Sequence, residues 1–418
     1  MIHVPINRLP PDILFEVLQH RDCDEDLVAA THVCHYWRST LIYTPYLWTL
    51  HQFRSICDLD RSRTYLERSK STTIDIEIHL DSVQVHGALQ HLVPLIPRTR
   101  SLTIHSSNKE SDVTSLLLCQ SVPSLEHLTI EGHRPKYSLN NFLGEQAPSL
   151  RSITITGVCP LLGSPFPLPS LTDLDLYFTK DMGLIHISSL FGLFSRCNLL
   201  QKACIGFSRN CSLQQDVPLD QTVSLDSLVE LACTYTTCDP FIPLLNLPHL
   251  KRLHVSSVDK LVHLLPQNGH VLLSRTTSMF HAQSESDQTI KLSGNGVEIS
   301  FDIPGDLGDT IPAGWLECIP FRQIEYLKFD GSCIFEDYPF PLFKNLTTFN
   351  MVLWNEGTAA QVLALLGAKF SSPSLREIVY NYPFCPTTTE LFTRPLIEFS
   401  RKMELDGHKL EMVTVLSM

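Results

Sequence analysis

Histidines, cysteines and paired carboxylates are the residues of this chain whose side chains are suited to catalysis or metal binding. His32 and His35 lie on either side of Cys34, and this spacing suggests a metal site or a nucleophile with its base. Because the three residues fall within a predicted helical segment, ordinary surface and core roles are the favoured interpretation. Thirteen cysteines are scattered along the chain, and their spacings match no tight zinc pattern. We therefore expect no metal site.

Two aspartates form the other candidate group for chemistry. Asp173 and Asp175 flank Leu174 in a predicted strand, so their carboxylates share one face. Paired acids serve general acid–base catalysis, but on an exposed strand face a solvated or partner-binding edge is the favoured interpretation. The chain has no phosphate-binding loop, no Gly-x-Ser-x-Gly turn and no His-Glu-x-x-His helix. We expect no enzyme, no catalytic residue and no cofactor.

Composition and charge restrict the class of partner. The 418 residues are 43% hydrophobic, which is enough to form a substantial core, and the formal net charge is −12. This charge argues against nucleic acid or an anionic membrane as the main partner. Prolines interrupt both the N-terminal region and the uncharged stretch 152–172, so neither a secretory signal nor a membrane span is predicted. We expect a soluble protein of the cytoplasm, the nucleus or both.

The elements that position these residues begin with three short helices in residues 1–50. Pro10 and Pro11 precede an apolar stripe at helical spacing, and Asp12 favours the positive end of a helix. A second helix opens at Asp24 or Asp26, and a third continues as far as Thr44. Fifty residues bury little surface by themselves. Such a module completes its core against a partner or the rest of the chain.

The order of residues in this module resembles an F-box, in the variant of the large fungal (basidiomycete-type) F-box families. The resemblance rests on three pieces in sequence: Leu-Pro-x-acid-Ile-Leu at 9–14, Asp-Leu-x-x-Ala-x-x-Val-Cys-x-x-Trp-Arg at 26–38, and Thr-Pro-x-Leu-Trp at 44–48. It covers about forty of the 418 residues. The resemblance implies binding to the Skp-type adaptor of a cullin–RING ubiquitin ligase.

The F-box resemblance also implies which residues contact the adaptor. Its Leu-Pro start and the apolar helix faces correspond here to Leu9, Pro10, Ile13, Leu14, Val17, Val33 and Trp37. The alternative for some of these residues, Val33 and Trp37 above all, is the internal core of the module. Pro45 and Trp48 are interpreted as a hinge that packs the module onto the chain that follows.

The remainder of the chain repeats a short pattern. Pro-Ser-Leu occurs at 123–125, 148–150, 169–171 and 373–375, and each copy is followed by two apolar residues in one register. Related apolar frames bring the successive starts between 125 and 250 to 21 to 29 residues apart. This pattern predicts a strand, a turn and a helical return in each repeat. Helical segments are predicted at 113–120, 188–194 and 359–366.

The repeats resemble leucine-rich repeats, with two departures. The Asn expected after each strand is missing almost everywhere, so the turns must be irregular. Between about 267 and 314 the frame lapses, and 288–292 and 297–303 are predicted as two strands joined by a turn at 293–296. That region is either an insertion or a degenerate repeat. Within the frame, we expect Leu128, Ile153, Leu174 and Leu253 to be buried, and Thr129, Thr154, Asp175 and His254 to face solvent.

These observations predict an α/β protein: a three-helix F-box module (1–50), a linker (51–72) that includes the basic residues from Arg61 to Lys70, and an irregular leucine-rich-repeat-like solenoid with a curved parallel sheet (73–418). The expected function is a substrate receptor of an SCF-type ubiquitin ligase. The alternative is an interaction scaffold without a ligase, in which the module caps the solenoid. The candidate target-binding residues are Asp173, Asp175, Lys251, Arg252 and His254.

Overall fold

The computed structural model of the chain describes residues 9–19, 24–54, 58–79, 92–106, 120–132, 147–157, 162, 167–179, 184–208, 211–218, 220–234, 241–256, 265–283, 287–304, 319–331, 339–353, 362, 374–382, 389–405, 407 and 410–417. The chain divides into two compact units. The first comprises Met1–Gly183 and Ser189–Leu200, and the second comprises Leu184–Ser188 and Gln201–Met418.

Three helices and a short 3-10 helix open the first unit, and the predicted helices are confirmed. Pro11 at the first helical position and Asp12 in the first turn favour the start of the first helix. Cys34 caps the third helix, because its Sγ accepts the backbone N–H of Trp37 at 3.5 Å. The elements are α1 (Pro11–Gln19), α2 (Asp24–Val33), α3 (His35–Ile42) and the 3-10 helix Pro45–Trp48.

Trp48 occupies the centre of the module's core. Its side chain is fully buried, and its Nε1–H donates to the carbonyl oxygen of Leu41 at 2.8 Å. The ring of Tyr65 meets it edge-on at 4.9 Å between centroids, and the guanidinium of Arg68 lies 4.2 Å from the ring. The predicted packing of Trp48 against the chain that follows is therefore confirmed. The other buried members of this core are Leu14, Leu18, Leu27, Ala30, Trp37, Leu41 and Leu47.

The described residues of the predicted linker, 51–54 and 58–72, are folded. They contain most of β1 (Leu50–Phe53) and all of α4 (Asp58–Ser69). The helix has few apolar residues, so its hydropathy is that of a solvated segment. It packs through Tyr65, whose ring meets Trp48 edge-on, and through Arg68, whose guanidinium lies over the Trp48 ring. The boundary predicted at residue 50 falls inside β1.

The first unit contains a sheet of six parallel strands that follow one another in chain order. Leu128, Ile153 and Leu174 are register partners on neighbouring strands, and all three are buried, as the repeat frame predicts. On the opposite face Thr129 and Thr154 are half-buried and Asp175 is exposed. The strands are β1 (Leu50–Phe53), β2 (Ile74–His79), β3 (Thr99–Ser106), β4 (His127–Gly132), β5 (Ser152–Thr156) and β6 (Asp173–Phe178); a 3-10 helix, Val93–Arg98, precedes β3.

The second unit contains a larger sheet and two small strand pairs. The pairs are β7 (Leu184–His186) with β9 (Ser212–Gln214) and β10 (Val223–Ser224) with β12 (Leu245–Asn246). The strands of the large sheet are β8 (Lys202–Phe207), β11 (Glu230–Thr234), β13 (Arg252–Ser256), β14 (Ser278–Gln283), β15 (Asp287–Gly294), β16 (Val297–Pro304), β17 (Tyr326–Gly331), β18 (Thr348–Leu353), β19 (Glu377–Tyr382) and β20 (Met412–Ser417). Their order in the sheet is β8-β11-β13-β16-β15-β14-β17-β18-β19-β20.

Further helical segments accompany these strands. The α-helices are α5 (Ile187–Phe194), α6 (Gly269–Leu273) and α7 (Thr389–Leu405), and the 3-10 helices are Ile242–Leu244, Phe321–Gln323 and Phe340–Leu342. Helix α5 confirms the helix predicted at 188–194. The segments predicted at 113–120 and 359–366 lie outside the described residues, apart from Gln120 and Val362.

The 267–314 region contributes an antiparallel meander to the second unit's sheet. The predicted pair, β15 and β16, is confirmed, and β14 adds a third antiparallel strand that the repeat frame does not reveal. Asn295 and Gly296 form the turn with φ of 47° and 74°, the left-handed values that a two-residue hairpin requires. Because β16 pairs with β13 and β14 pairs with β17, the meander is built into the sheet.

A turn with the same hydrogen bond precedes successive strands in both units. The leucine that enters the strand donates its N–H to the carbonyl three residues earlier, as Leu125 does to Val122 at 3.1 Å and Leu250 does to Leu247 at 3.3 Å. In two of the four Pro-Ser-Leu copies, the serine adds a hydrogen bond to the preceding repeat. The Oγ of Ser149 donates to the carbonyl of Pro123 at 2.9 Å, and Ser170 does the same to Pro148 at 2.6 Å.

The repeat register predicts that the same substitution changes the free energy of unfolding very differently at two adjacent positions of β5. Ile153→Asp places a charge at a fully buried site and is expected to lower the free energy of unfolding by several kcal/mol. Thr154→Asp, one residue further on the half-buried opposite face, is the matched control and is expected to change it by about 1 kcal/mol or less. Urea denaturation measures both values. Equal stability of the two variants would contradict this register.

Two buried histidines predict a loss of stability in mild acid. Burial, reinforced by the charge on Arg98, lowers the pKa of His51 from 6.5 to about 4, and burial lowers the pKa of His281 from 6.5 to about 4. Between pH 4 and pH 6.5, these two histidines bind a proton in the unfolded chain but not in the folded protein. The free energy of unfolding is therefore expected to fall as the pH drops from 6.5 to 4, by on the order of 3 kcal/mol per histidine.

The variant His51→Asn tests this dependence, because asparagine retains a polar partner for Ser62, whose Oγ lies 2.9 Å from the ring Nδ1. Urea denaturation between pH 4 and 7.5 is expected to show a smaller acid-induced loss for this variant than for the wild type. The exposed His127→Ala is the control and is expected to retain the wild-type slope. An unchanged slope in His51→Asn would show that His51 does not contribute to the loss.

Candidate functional site

Helix α1 has two apolar stripes, and only one of them faces the module's core. Leu14 and Leu18 are buried, whereas Ile13 and Val17 are 50% and 59% exposed. Because they are four residues apart, Ile13 and Val17 are neighbours on the same side of the helix. Exposed branched side chains that form no part of a core are typical of a surface that binds a protein partner.

Further apolar side chains on the same module are exposed. Val33, near the end of α2, is 51% exposed, and Val28 on the same helix is also exposed. Tyr46 is exposed as well, and its ring meets Phe15 of α1 edge-on at 5.5 Å between centroids. Burial, and then the nearby charge of Asp12, raise the pKa of the Tyr46 phenol above its ordinary value. The hydroxyl therefore stays protonated and can donate a hydrogen bond.

Two of the seven predicted adaptor contacts are part of the core. Leu14 has no exposed surface and Trp37 is 8% exposed, so neither side chain presents a surface to a partner. Their role is to hold the three helices together. The alternative of a core role, left open for Val33 and Trp37, therefore applies to Trp37, while Val33 is at the surface.

Hydrogen bonds attach the Leu-Pro start to the module, and one of them is the 3.1 Å bond from the N–H of Leu14 to the carbonyl of Pro10. The Tyr36 hydroxyl of α3 donates to the carbonyl oxygen of Leu9 at 2.9 Å. Leu9 is half-buried against the core, and Pro10 is exposed. This bond fixes the chain just ahead of α1. The predicted contacts with exposed or half-exposed side chains are Leu9, Pro10, Ile13, Val17 and Val33.

The acidic part of the predicted target surface lies on β6 in the first unit. Asp173 is half-buried and accepts a hydrogen bond from the Thr172 hydroxyl at 2.6 Å. Asp175 is exposed and is the register partner of Thr154. The two carboxylates share one face of the strand, as predicted.

The basic part of that prediction lies in the second unit, where acidic neighbours compensate much of its charge. Arg252 forms a salt bridge with Glu230 on the neighbouring strand. The Nε2 of His254 lies 3.4 Å from a carboxylate oxygen of Asp302. Lys251 is exposed just ahead of β13. This face therefore presents charges of both signs.

One group with serine, histidine and aspartate occurs in the second unit. The Ser188 hydroxyl donates to Oδ2 of Asp216 at 2.5 Å, and Nδ1 of His186 lies 3.2 Å from the same oxygen. A catalytic triad requires histidine between the serine and the acid so that it can accept the serine proton. Here the carboxylate lies between them. The arrangement is that of a surface hydrogen-bond cluster.

One group of metal-ligand residues in the first unit is not evident from the sequence. Among the described residues, Glu77, His79 and His105 bring their ligand atoms within 4.8 Å of one another. Their signal in the sequence is weak, because Glu77 and His79 merely alternate along β2 and His105 lies 26 residues further along the chain. Only the pairing of β2 with β3 brings them together.

Comparison with known families matches residues 6–54 to the family described as F-box-like. No curated protein matches the chain. Within the part of the chain that the structure describes, no helix has the length and apolar character needed to cross a membrane. The matched range contains α1, α2, α3, the 3-10 helix Pro45–Trp48 and β1. The chain therefore carries an F-box-like domain at residues 6–54.

Proposed function

We propose that this protein is the substrate-receptor subunit of a cullin–RING (SCF-type) ubiquitin ligase and has no enzymatic activity of its own. The observation that supports the proposal most strongly is the F-box-like domain at residues 6–54. Domains of this family bind Skp-type adaptors. In this chain the domain retains exposed apolar residues that its own core does not use.

Burial of these side chains provides the driving force for docking. Ile13, Val17 and Val33 are each about half exposed in the chain alone. Fully burying such a side chain contributes on the order of 1.5–3 kcal/mol, so covering the exposed halves of three of them contributes about 2–5 kcal/mol, which is part of the free energy that a specific complex requires. Leu9 and Pro10 extend this surface at the start of α1.

The strands outside this domain are proposed to bind the target protein. We interpret them as an irregular, leucine-rich-repeat-like solenoid, which is supported by the parallel pairing in chain order from β2 to β6 and by the recurring turn before the strands. In this arrangement the residues on the polar face can vary without disturbing the buried leucines. Charges of both signs, such as Asp175 and Arg252, suit a polar protein partner.

A second candidate function is that of a scaffold without a ligase. The observation that favours it is the pairing of β1 with β2, through which the domain also covers one edge of the first unit's sheet. A structural cap explains this pairing without any adaptor. Co-purification with a Skp-type adaptor and a cullin distinguishes the two functions, because only the receptor is expected to recover both.

The exposed stripe of α1 gives a direct test of docking. Ile13→Ala combined with Val17→Ala removes apolar surface that the module's core does not need, so the fold is expected to remain intact. Affinity for a purified Skp-type adaptor, measured by calorimetric titration, is expected to fall at least tenfold.

The matched control replaces two exposed leucines outside the domain, Leu199 and Leu405, with alanine. It removes similar apolar surface and is expected to leave adaptor affinity unchanged. If both double variants bind the adaptor as tightly as the wild type, the stripe of Ile13 and Val17 is not the docking surface. If the wild type binds no adaptor, the scaffold is the better explanation.

The polar strand faces give a separate test of target binding. Asp173→Lys with Asp175→Lys reverses the charge on the first unit, and Lys251→Glu with Arg252→Glu reverses it on the second. At least one of these variants is expected to lose the proteins that the wild type captures when ligase activity is blocked, while adaptor binding is retained. Mass spectrometry of the captured proteins provides the measurement. Identical captured sets for the wild type and both variants would exclude these faces.

A further inference from the structure

Four strands of the first unit, β1 to β4, bring two histidines and three polar side chains onto the sheet face opposite the buried apolar residues. His79 on β2 and His105 on β3 are register partners, so their rings project side by side. The rings are stacked, with 4.4 Å between their centroids and 19° between their planes. Glu77 lies two residues before His79, on the same face of β2.

The atoms of this cluster converge on one point. The Oε1 of Glu77 lies 2.7 Å from Nε2 of His79 and 4.0 Å from Nε2 of His105. Ligand atoms around a tetrahedral zinc ion are roughly 3.3 Å apart, given bonds of about 2.0–2.1 Å. The two distances from Oε1 lie on either side of that value, and binding one ion would also require the stacked rings to rotate until both Nε2 lone pairs point at it.

Neighbouring strands orient two of these ligands. Glu131 on β4 lies 2.8 Å from Nδ1 of His105 and, as a carboxylate, accepts a hydrogen bond from its N–H, so that Nε2 is the nitrogen available as a ligand. Gln52 on β1 donates to Oε2 of Glu77 at 2.9 Å, which leaves Oε1 for another partner. Carboxylates and amides that hold the far side of a ligand are typical of the shell surrounding a protein metal site.

One neighbouring cation faces the cluster. The Nη2 of Arg54 lies 3.4 Å from Oε1 of Glu77, and its side chain is largely exposed. An exposed arginine can turn away into solvent when another cation takes its place.

We propose that Glu77, His79 and His105 bind a divalent metal ion of the zinc class on the polar face of the first unit's sheet. One carboxylate oxygen and two imidazole nitrogens form the ligand set, and at least one coordination position remains open for water. Imidazole favours zinc and the late transition metals over calcium or magnesium. This inference replaces the expectation of no metal site and is independent of the proposed ligase function.

The expected consequence is a link between neighbouring strands. The ion would join β2 to β3, and Gln52 and Glu131 would connect it to β1 and β4. Because only the folded sheet brings the ligands together, bound metal is expected to stabilise the folded state.

The test uses the full chain, freed of metal with a chelator, and Zn²⁺ alone as the probe. Calorimetric titration is expected to show a site in the wild type that His79→Ala with His105→Ala loses. The control, His127→Ala with His254→Ala, removes two other histidines of the polar strand faces and is expected to retain it. Far-UV circular dichroism checks that both double variants are folded.

A positioning role for Glu131 gives a second measurement. Glu131→Gln removes no ligand of the proposed set and is expected to weaken Zn²⁺ binding about ten- to hundredfold. Zn²⁺ is also expected to raise the melting temperature of the wild type and the control, but not that of the variant lacking His79 and His105. If that variant binds Zn²⁺ as the wild type does, or if the wild type binds none, the cluster is a hydrogen-bonded surface group and the proposal is overturned.

Discussion

The hydrogen bonds at the entrance of each parallel strand are the constraint on which the rest of the structure depends. In the first unit, the carbonyl of Glu126 accepts the N–H groups of Arg151 and Ser152. In the second unit, the carbonyl of Val229 does the same for Lys251 and Arg252. Each repeat therefore fixes where the next strand begins. Since side chains alternate along a strand, this starting point also decides which residues are buried and which reach the polar face.

Much of this arrangement could be predicted from spacing alone, but two features could not. The apolar frame correctly predicts the register of Leu128, Ile153 and Leu174, because burial imposes a period that the sequence displays. The role of serine in Pro-Ser-Leu was not predicted, since its hydrogen bond reaches the preceding repeat. Helix α4 was missed because its packing depends on single side chains against Trp48 and not on an apolar stripe.

The candidate sites show a similar division. Helical spacing predicts a single apolar stripe on α1, and it does not distinguish the buried Leu14 from the exposed Ile13, because both fit the same period. The structure separates them. The metal-ligand group was not predicted because His79 and His105 become neighbours only through the pairing of two strands. Sequence spacing indicates which residues share one face of a single helix or strand. A site formed by residues of two strands can be located only when the register of the strand pairing is known.

The pairing of β1 with β2 has a consequence for how the F-box-like domain can be separated from the rest of the chain. A fragment that starts after α4 would leave one edge of β2 with unpaired backbone N–H and C=O groups. The strand residues Ile74, Ile76 and Ile78 are all buried, and β-branched side chains beside an open edge promote self-association. Truncation would therefore be expected to produce aggregates, so point substitutions on the domain surface are the sounder means of separating its functions.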